Sequence, residues 1–422
     1  MPSATTDSAL STKDSKTMLD YAQALEILLE TVQPLPPTEV PLADALGLVL
    51  AAPVSARWDL PPADNSAMDG YAFAHVGQKA GDTLHVSGFL PAGAVQNTAL
   101  KPGEAVRIMT GAPLPPGADT VVPIEEVECA GDGIQLRKAP KVGEHVRLRG
   151  EEFRAGETLL APGTAIHSGE IGLLAAAGVT RISVHPAPRV ALLSTGDELV
   201  ELGETPGPGQ IVNSNFHLLA ARLREEGCAV IPLGIARDRT GELDEKIARG
   251  LAEADLLITT GGVSVGDRDL VQETLRCHDF RLGFWKVAIK PGKPVLFGTA
   301  RSVPVLGLPG NPAASAATFE LFARPALRRL GGYGDPLPPR LRVILTAPVK
   351  GGGKRQSFLW GTLTEAAGRY AFSPSSRQES GQTRSLQGSR ALLPVPIGAP
   401  DLSPGQEVEV LLLRLPPGRA TP

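Results

Sequence analysis

Residues 256–262 read Leu-Leu-Ile-Thr-Thr-Gly-Gly, an apolar run that ends on a glycine pair. A short continuous apolar run bounded by a turn signal reads as a strand buried on both faces, and the neighbouring sequence repeats the pattern. Upstream, Val190 to Gly196 (VALLSTG) precedes a helix expected at about 214–227, and Ala229 to Ile235 precedes one at 241–254. Downstream, a helix is expected near 268–276. Val303 to Leu308 then runs into Pro309-Gly310-Asn311-Pro312 and a long helix ending near Leu330. Buried strands alternating with helices predict a parallel sheet covered on both faces, a three-layer α/β domain over 188–334.

The flanks have a different texture. Leu25, Leu28, Leu29 and Val32 recur at helical spacing, and a second short helical stretch is expected at Leu42 to Ala52 beyond a Pro-rich break. From Pro53 to about Gly150, short β-type runs alternate with Gly/Pro turns. Gly169 to Gly178 returns to helix, closed by a glycine. The economical reading is a β domain, 57–149, inserted into a domain split between 18–56 and 150–187. After Asp335-Pro336-Leu337-Pro338-Pro339 the chain is again β-textured, a further small β domain over 335–417.

The bulk properties bound the function. At roughly 150 residues per domain, the 422 residues suggest about three domains. Net charge is −4, without the basic excess of a protein that holds nucleic acid by bulk electrostatics. No apolar run approaches the length of a membrane span. Cys129, Cys228 and Cys277 share no close spacing, which fits a reducing, cytoplasmic compartment and offers no cysteine zinc site. Residues 1–17 are polar, lack the apolar core of a secretory signal and read as a disordered tail. Glycine and proline total 86 residues, about a fifth of the chain. That is compatible with partial disorder or with many tight turns.

In a parallel α/β sheet, ligands bind where strand ends meet helix starts. Four loops fall there: 194–198, Arg237-Asp238, 259–269 and 308–312. The third is glycine-rich. Gly261, Gly262 and Gly266 with Ser264 would let backbone N–H groups approach an anion, and Asp267 and Asp269 could hold Mg²⁺ against phosphate. By itself the same loop also reads as a tight turn with an acidic helix cap. It contains Gly262-Val263-Ser264-Val265-Gly266, formally a nucleophile elbow, but His278 is the one histidine beyond it and leaves no room for a hydrolase triad.

Lys286, Lys290 and Lys293 fall within eight residues of Phe284-Trp285-Lys286-Val287-Ala288-Ile289-Lys290-Pro291-Gly292-Lys293-Pro294. Read as one strand and its turn, this places Lys286 and Lys290 on one face and suits a multiply charged anion. An edge strand guarded by lysines is the plainer reading. In the β domain, Asp64 to Tyr71 and Arg107 to Pro113 are dense in polar and glycine residues; each alone reads as a turn packed on a core. The seven histidines show no HxxxH spacing, so a zinc hydrolase is disfavoured.

Taken in order, DNSAMDGYA (64–72), RIMTGAPLP (107–115), LRGEE (148–152), ALLSTGDEL (191–199), TTGGVSVGDRD (259–269), FWKVAIKPGKP (284–294) and GLPGNP (307–312) resemble the MoeA family. These are the molybdopterin molybdotransferases, related to the gephyrin E domain, and the likeness covers about 18–415. It implies a split elongated linker and dimerisation domain, an inserted β domain, an α/β molybdopterin-binding domain and a C-terminal β-barrel. It also implies a homodimer that takes adenylylated molybdopterin and molybdate, releases AMP with Mg²⁺ and leaves molybdenum on the pterin dithiolene. Other maturation proteins of the molybdenum cofactor are possible partners, whereas nucleic acid and membrane are not expected.

The resemblance further implies that Asp238 and Asp269 organise Mg²⁺. Glu198, Lys286 and Lys290 would line the nucleotide and pterin cleft, together with Gly261, Gly262, Ser264, Gly266, Pro309 and Pro312. Lys293, Pro294 and Ser380 would border molybdate, and Asp69 and Thr110 would come from the partner subunit. This chain departs from the pattern at Glu152, where the family usually has aspartate, and at Trp360, where it usually has arginine. Arg355, Arg377 and Arg384 are the candidates to replace that arginine, and the change bears on molybdate affinity and on molybdate against tungstate. A molybdopterin adenylyltransferase, which has the α/β domain nearly alone, and a non-catalytic gephyrin-like scaffold are the alternative readings.

Overall fold

The computed structural model of the chain describes residues 18–237, 239–262, 270–366 and 368–415. The chain divides into two compact units, one formed by residues 39–184 and the other by the segments on either side.

The larger unit is built on a six-stranded sheet. Its order is Ala229–Ala236, Arg189–Thr195, Leu256–Thr260, Val303–Leu308, Leu296–Ala300 and Arg281–Trp285. The first four strands are parallel, and at the edge Leu296–Ala300 pairs antiparallel to both Val303–Leu308 and Arg281–Trp285. Successive side chains of one strand enter opposite cores, as the two-residue period of a strand requires. Val190, Leu192, Leu256, Ile258 and Leu306 face one core, and Ala191, Leu193, Leu257 and Val305 face the other. Helix Ser214–Glu225 and the helical run from Pro312 to Leu330 cover the first face; Thr240–Glu253 and Leu270–Arg276 cover the second. That is the three-layer arrangement expected of continuous apolar strands.

Helix Tyr21–Thr31 belongs to this unit. Asp20 caps it, accepting from the Gln23 N–H at 2.9 Å while Gln23 Oε1 accepts from the Asp20 N–H at 3.2 Å, a reciprocal capping box. Its buried Ala24 and Leu28 pack into the first core, and the Tyr21 ring meets Phe322 and Phe358 edge-on. The C-terminal part closes into a five-stranded barrel. Gln356–Ala366 pairs with both Arg369–Pro374 and Ala391–Val395, and the circuit passes through Arg340–Leu345 and Glu407–Leu412.

The sequence predicts one strand through 284–290, and the structure divides it. Arg281–Trp285 stays in the α/β sheet, Lys286 turns left-handed at φ 67°, and Ile289–Lys290 pairs with the barrel strand Gln356–Ala366. Lys286 and Lys290 therefore do not share a strand face. The break lets the chain pass from one sheet to another, which a lysine pattern cannot announce.

The smaller unit holds a second six-stranded sheet, ordered Thr120–Pro123, Gly70–Phe73, Glu104–Ile108, Thr83–Leu90, Gly133–Leu136 and Val127–Ala130. On either side of it in sequence, Val54–Ser55 pairs with Thr158–Leu160, and Arg181–His185 lies between Thr38–Pro41 and Val49–Leu50. The helix expected over 42–52 is absent. Leu42–Asp44 makes a single 3₁₀ turn, and Val49–Leu50 joins a sheet with both side chains buried. Pairing with a distant strand overrides local helical spacing here.

Candidate active site

The carboxyl ends of the parallel strands open into a cavity of about 690 Å³ in the larger unit. Its wall includes Thr195, Gly196 and Glu198 at the end of strand Arg189–Thr195, Thr260, Gly261 and Gly262 at the end of strand Leu256–Thr260, Pro294, the Pro309–Pro312 turn, and Gly381 from the C-terminal segment. Loops from distant parts of the chain thus meet where the open ends of such a sheet place ligands.

Close approach decides one residue of the wall and crowds another. A Cβ on Gly261 would lie 2.5 Å from the Thr195 carbonyl oxygen, and its φ is +88°, so only glycine lets the two strand ends run this near each other. At Gly196 a Cβ would lie 2.4 Å from the Glu198 carboxylate, which folds back over its own loop. Arg237 closes that loop from the side. Its Nη1 donates to the carbonyls of Asp197 at 2.9 Å and Leu199 at 2.8 Å.

Helix Ser214–Glu225 starts at the cavity. Asn213 caps it, with Oδ1 accepting the Phe216 N–H at 3.3 Å. Asn215 Nδ2 donates to the Gly310 carbonyl at 2.7 Å and to Thr260 Oγ1 at 3.2 Å, tying the helix start to two other walls. Asn213 Nδ2 and Asn215 Oδ1 are buried without a protein partner. On the far wall, Asn311 Nδ2 donates to Ser380 Oγ at 3.0 Å, and the Ala313 N–H donates to the Ser380 carbonyl at 2.9 Å. Ser380 is thereby joined to the Gly-Asn-Pro turn.

The three lysines lie on the segment that leads to Pro294. Lys290 and Lys293 are exposed, and Lys286 lays its ammonium 3.6 Å from the Trp285 ring centroid. Of the arginines considered for the place of Trp360, Arg355 is engaged by the Ile289 carbonyl at 3.1 Å. Trp360 itself is core: 4% exposed, it packs in the main hydrophobic cluster, and its Nε1 finds no partner.

Asp69 and Thr110 sit together in the smaller unit. The Thr110 hydroxyl and backbone N–H both donate to Asp69 Oδ1 at 2.7 Å. These two bonds, the hydroxyl's first, hold the exposed Asp69 carboxyl below its ordinary value, so it stays ionised.

Of the residues expected in the site, Glu198, Gly261, Gly262, Pro294, Pro309 and Pro312 line the one cavity, and Ser380 is bonded to its rim. Asp238, Ser264, Gly266 and Asp269 lie outside the described residues. Among the described residues no cluster of three or more acidic, histidine or cysteine side chains could hold a metal ion. Asn213 and Asn215 are missed by the sequence reading, and Arg237 and Asn311 lie in strand-end loops it points to without a role of their own. The Asn-Ser-Asn before a helix is a cap signal, but nothing in it announces bonds to residues 45 and 95 positions away.

Comparison with known proteins gives a consistent result. Residues 19–178 match the MoeA N-terminal region (domain I and II), 191–329 match a family described as a probable molybdopterin binding domain, and 342–413 match the MoeA C-terminal region (domain IV). The chain is 39% identical over 384 residues to a molybdopterin molybdenumtransferase of Nostoc sp., covering 89% of this chain and 88% of that one. It is 36% identical to molybdopterin molybdenumtransferase 2 of Mycobacterium tuberculosis, covering 91% and 97%. A crystal structure of the molybdopterin biosynthesis MoeA protein from Pyrococcus horikoshii OT3 superposes with a TM-score of 0.82 at 28% identity, covering 94% of this chain and all of that one.

Proposed function

This chain belongs to the MoeA family, and from that premise we propose that it is a molybdopterin molybdenumtransferase that converts adenylylated molybdopterin and molybdate to molybdenum cofactor with release of AMP. The carrying observation is the cavity at the carboxyl ends of the parallel strands. Its wall joins the Gly261-Gly262 turn, the Pro309–Pro312 turn and the C-terminal segment around Gly381. A phosphoanhydride needs backbone donors, and a tetrahedral dianion needs fixed cations and hydroxyls; the glycine turn supplies the first, the lysine segment and Ser380 the second.

In this reading Gly261, Gly262, Ser264 and Gly266 receive phosphate, with Lys286 and Lys290 neutralising its charge and Glu198, Pro309 and Pro312 shaping the cleft. Lys293, Pro294 and Ser380 border molybdate. Mg²⁺ is assigned to Asp238 and Asp269, where it would offset phosphate charge as AMP departs. The protein works as a homodimer in the cytoplasm, and Asp69 and Thr110 act from the partner subunit. Among the described residues no helix is long and apolar enough to cross a membrane. The chain is organised as a domain split between 18–56 and 150–187, an inserted β domain over 57–149, an α/β domain over 188–334 and a β-barrel domain over 335–417.

The test is direct. Purified protein incubated with adenylylated molybdopterin and Mg²⁺ is expected to release AMP only when molybdate is added, and Asp269→Asn is expected to abolish that release while leaving the fold intact. An unchanged rate in Asp269→Asn removes the role given to Asp269. Adenylylated product made from ATP and molybdopterin would point to an adenylyltransferase, and neither activity would point to a scaffold. For the partner-subunit role, mixing inactive Asp69→Asn and Asp269→Asn proteins should restore part of the activity through hybrid dimers.

A further inference from the structure

Asn311 stands at the N-cap of helix Pro312–Thr318, where asparagine ordinarily turns its side chain back to accept an N–H of its own first turn. Here it makes no such bond. Its Nδ2 reaches instead to Ser380 Oγ, 69 residues further along the chain, at 3.0 Å. The vacated helix N–H of Ala313 is taken by the carbonyl of that same serine at 2.9 Å. Ser380 is therefore gripped twice, and in a definite sense: its hydroxyl oxygen accepts from Asn311, which leaves the hydroxyl hydrogen free to be donated. Both ends of this arrangement are anchored. Gly310, just before Asn311, is held by Asn215 Nδ2 at 2.7 Å. The segment before Ser380 is fixed by Gln378, whose amide accepts the Trp360 N–H at 3.1 Å and donates to the Trp360 carbonyl at 2.8 Å. Gly381, the next residue, lines the cavity.

We propose that Asn311 is a positioning residue: by donating to Ser380 Oγ it commits the serine hydroxyl to act as a donor toward an oxyanion in the cleft. The inference rests on the functional reading above, with molybdate as the oxyanion, and concerns a residue to which that reading gives no part. A hydroxyl that has accepted one hydrogen bond is a better donor for the next, and one held by a fixed amide needs no reorganisation when the anion arrives.

The variants that separate this from simple bracing are Asn311→Ala and Asn311→Asp, each made with and without Ser380→Ala. The aspartate is nearly isosteric, but its carboxylate can only accept. It would draw the serine proton away from the anion and add like charge. Asn311→Asp is expected to raise the KM for molybdate by tenfold or more and Asn311→Ala by about threefold to tenfold, the scale of one neutral hydrogen bond. The dissociation constant for AMP should be unchanged in both. In the Ser380→Ala background the Asn311→Ala effect should collapse to less than about twofold, because the residue through which Asn311 acts is gone, and Asn311→Asp should keep only the part due to like charge.

Equilibrium dialysis with molybdate or tungstate reads the same pattern without turnover. If wild-type protein releases no AMP but dialysis shows the pattern, the functional reading falls and the role of Asn311 stands. An Asn311→Ala effect that persists in full in the Ser380→Ala background, an Asn311→Asp protein that binds molybdate as tightly as wild type, or wild-type protein that binds neither anion would each overturn the proposal.

Discussion

The cleft wall of the larger unit and the Asp69–Thr110 turn of the smaller one treat their polar groups in opposite ways. In the turn, one carboxylate oxygen takes both donors that Thr110 offers, and the bonds hold Asp69 ionised before any ligand is present. In the cleft, Asn213 Nδ2 and Asn215 Oδ1 are buried without partners, and the hydroxyl proton of Ser380 is left over after Asn311 has bonded its oxygen. A group that has satisfied itself is a fixed charge; groups with spare capacity can still take a partner. The difference is set by neighbours more than by residue type, since each region draws on short polar side chains next to glycine.

Glycine itself gives the sharpest way to test the contrast. Gly261 in the cleft and Gly111 beside Thr110 have nearly the same backbone, φ +88° and +83°, but a Cβ on Gly261 would strike Thr195 while one on Gly111 meets nothing within 4 Å. Gly261→Ala adds a clash to left-handed strain and should cost about 3 kcal/mol or more, with loss of AMP binding. Gly111→Ala carries the strain alone and should cost about 1 kcal/mol. Urea unfolding of the two variants reads both. Equal losses would mean that the close approach of strand ends at Thr195 does not matter.

A middle effect is expected at the helix start. Asn213→Ala removes the cap of Ser214–Glu225 and should lower stability by about 1 kcal/mol, seen as a drop in the thermal midpoint. No drop would show that the buried, half-satisfied amide costs as much as the cap contributes.

The smallest change belongs to the turn. Because the folded pKa of Asp69 lies below its ordinary 3.8, the stabilisation tied to its ionisation is present above that value and is lost as pH falls through the folded pKa. Thr110→Val deletes the hydroxyl donor but keeps the backbone one. The Asp69 carboxyl should then titrate closer to 3.8, and the acid loss of stability should lessen. Carbon-detected NMR of the aspartate side chain follows this directly; an unmoved titration would mean that the backbone bond alone fixes the charge.

Much of the architecture was legible because it depends on local pattern. Leu192, Leu257 and Ile258 sit in short uninterrupted apolar runs ending on turn signals, the pattern of strands in a sheet covered on both faces. Many of the glycines and prolines lie in turns, and some of those turns line the cavity: Gly261 and Gly262 on one wall, Pro309 and Gly310 on another. What misled was sequence whose pattern is local but whose partner is distant. Val49 and Leu50 have helical spacing and pair as a strand, and the segment 284–290 looks like one strand but is shared between two sheets.

The sequence by itself therefore determined the layer structure, the family and the loops that line the cavity, since burial periodicity and motif order are properties of neighbouring residues. Only the tertiary structure decided which side chains those loops present to one another. Asn311 finds Ser380 across 69 positions, Asn215 finds Gly310 across 95, and Trp360 is committed to the core. Hydrogen bonds are short and directional, so whether a polar group is spent or spare depends on contacts within about 3 Å, which no spacing along the chain encodes.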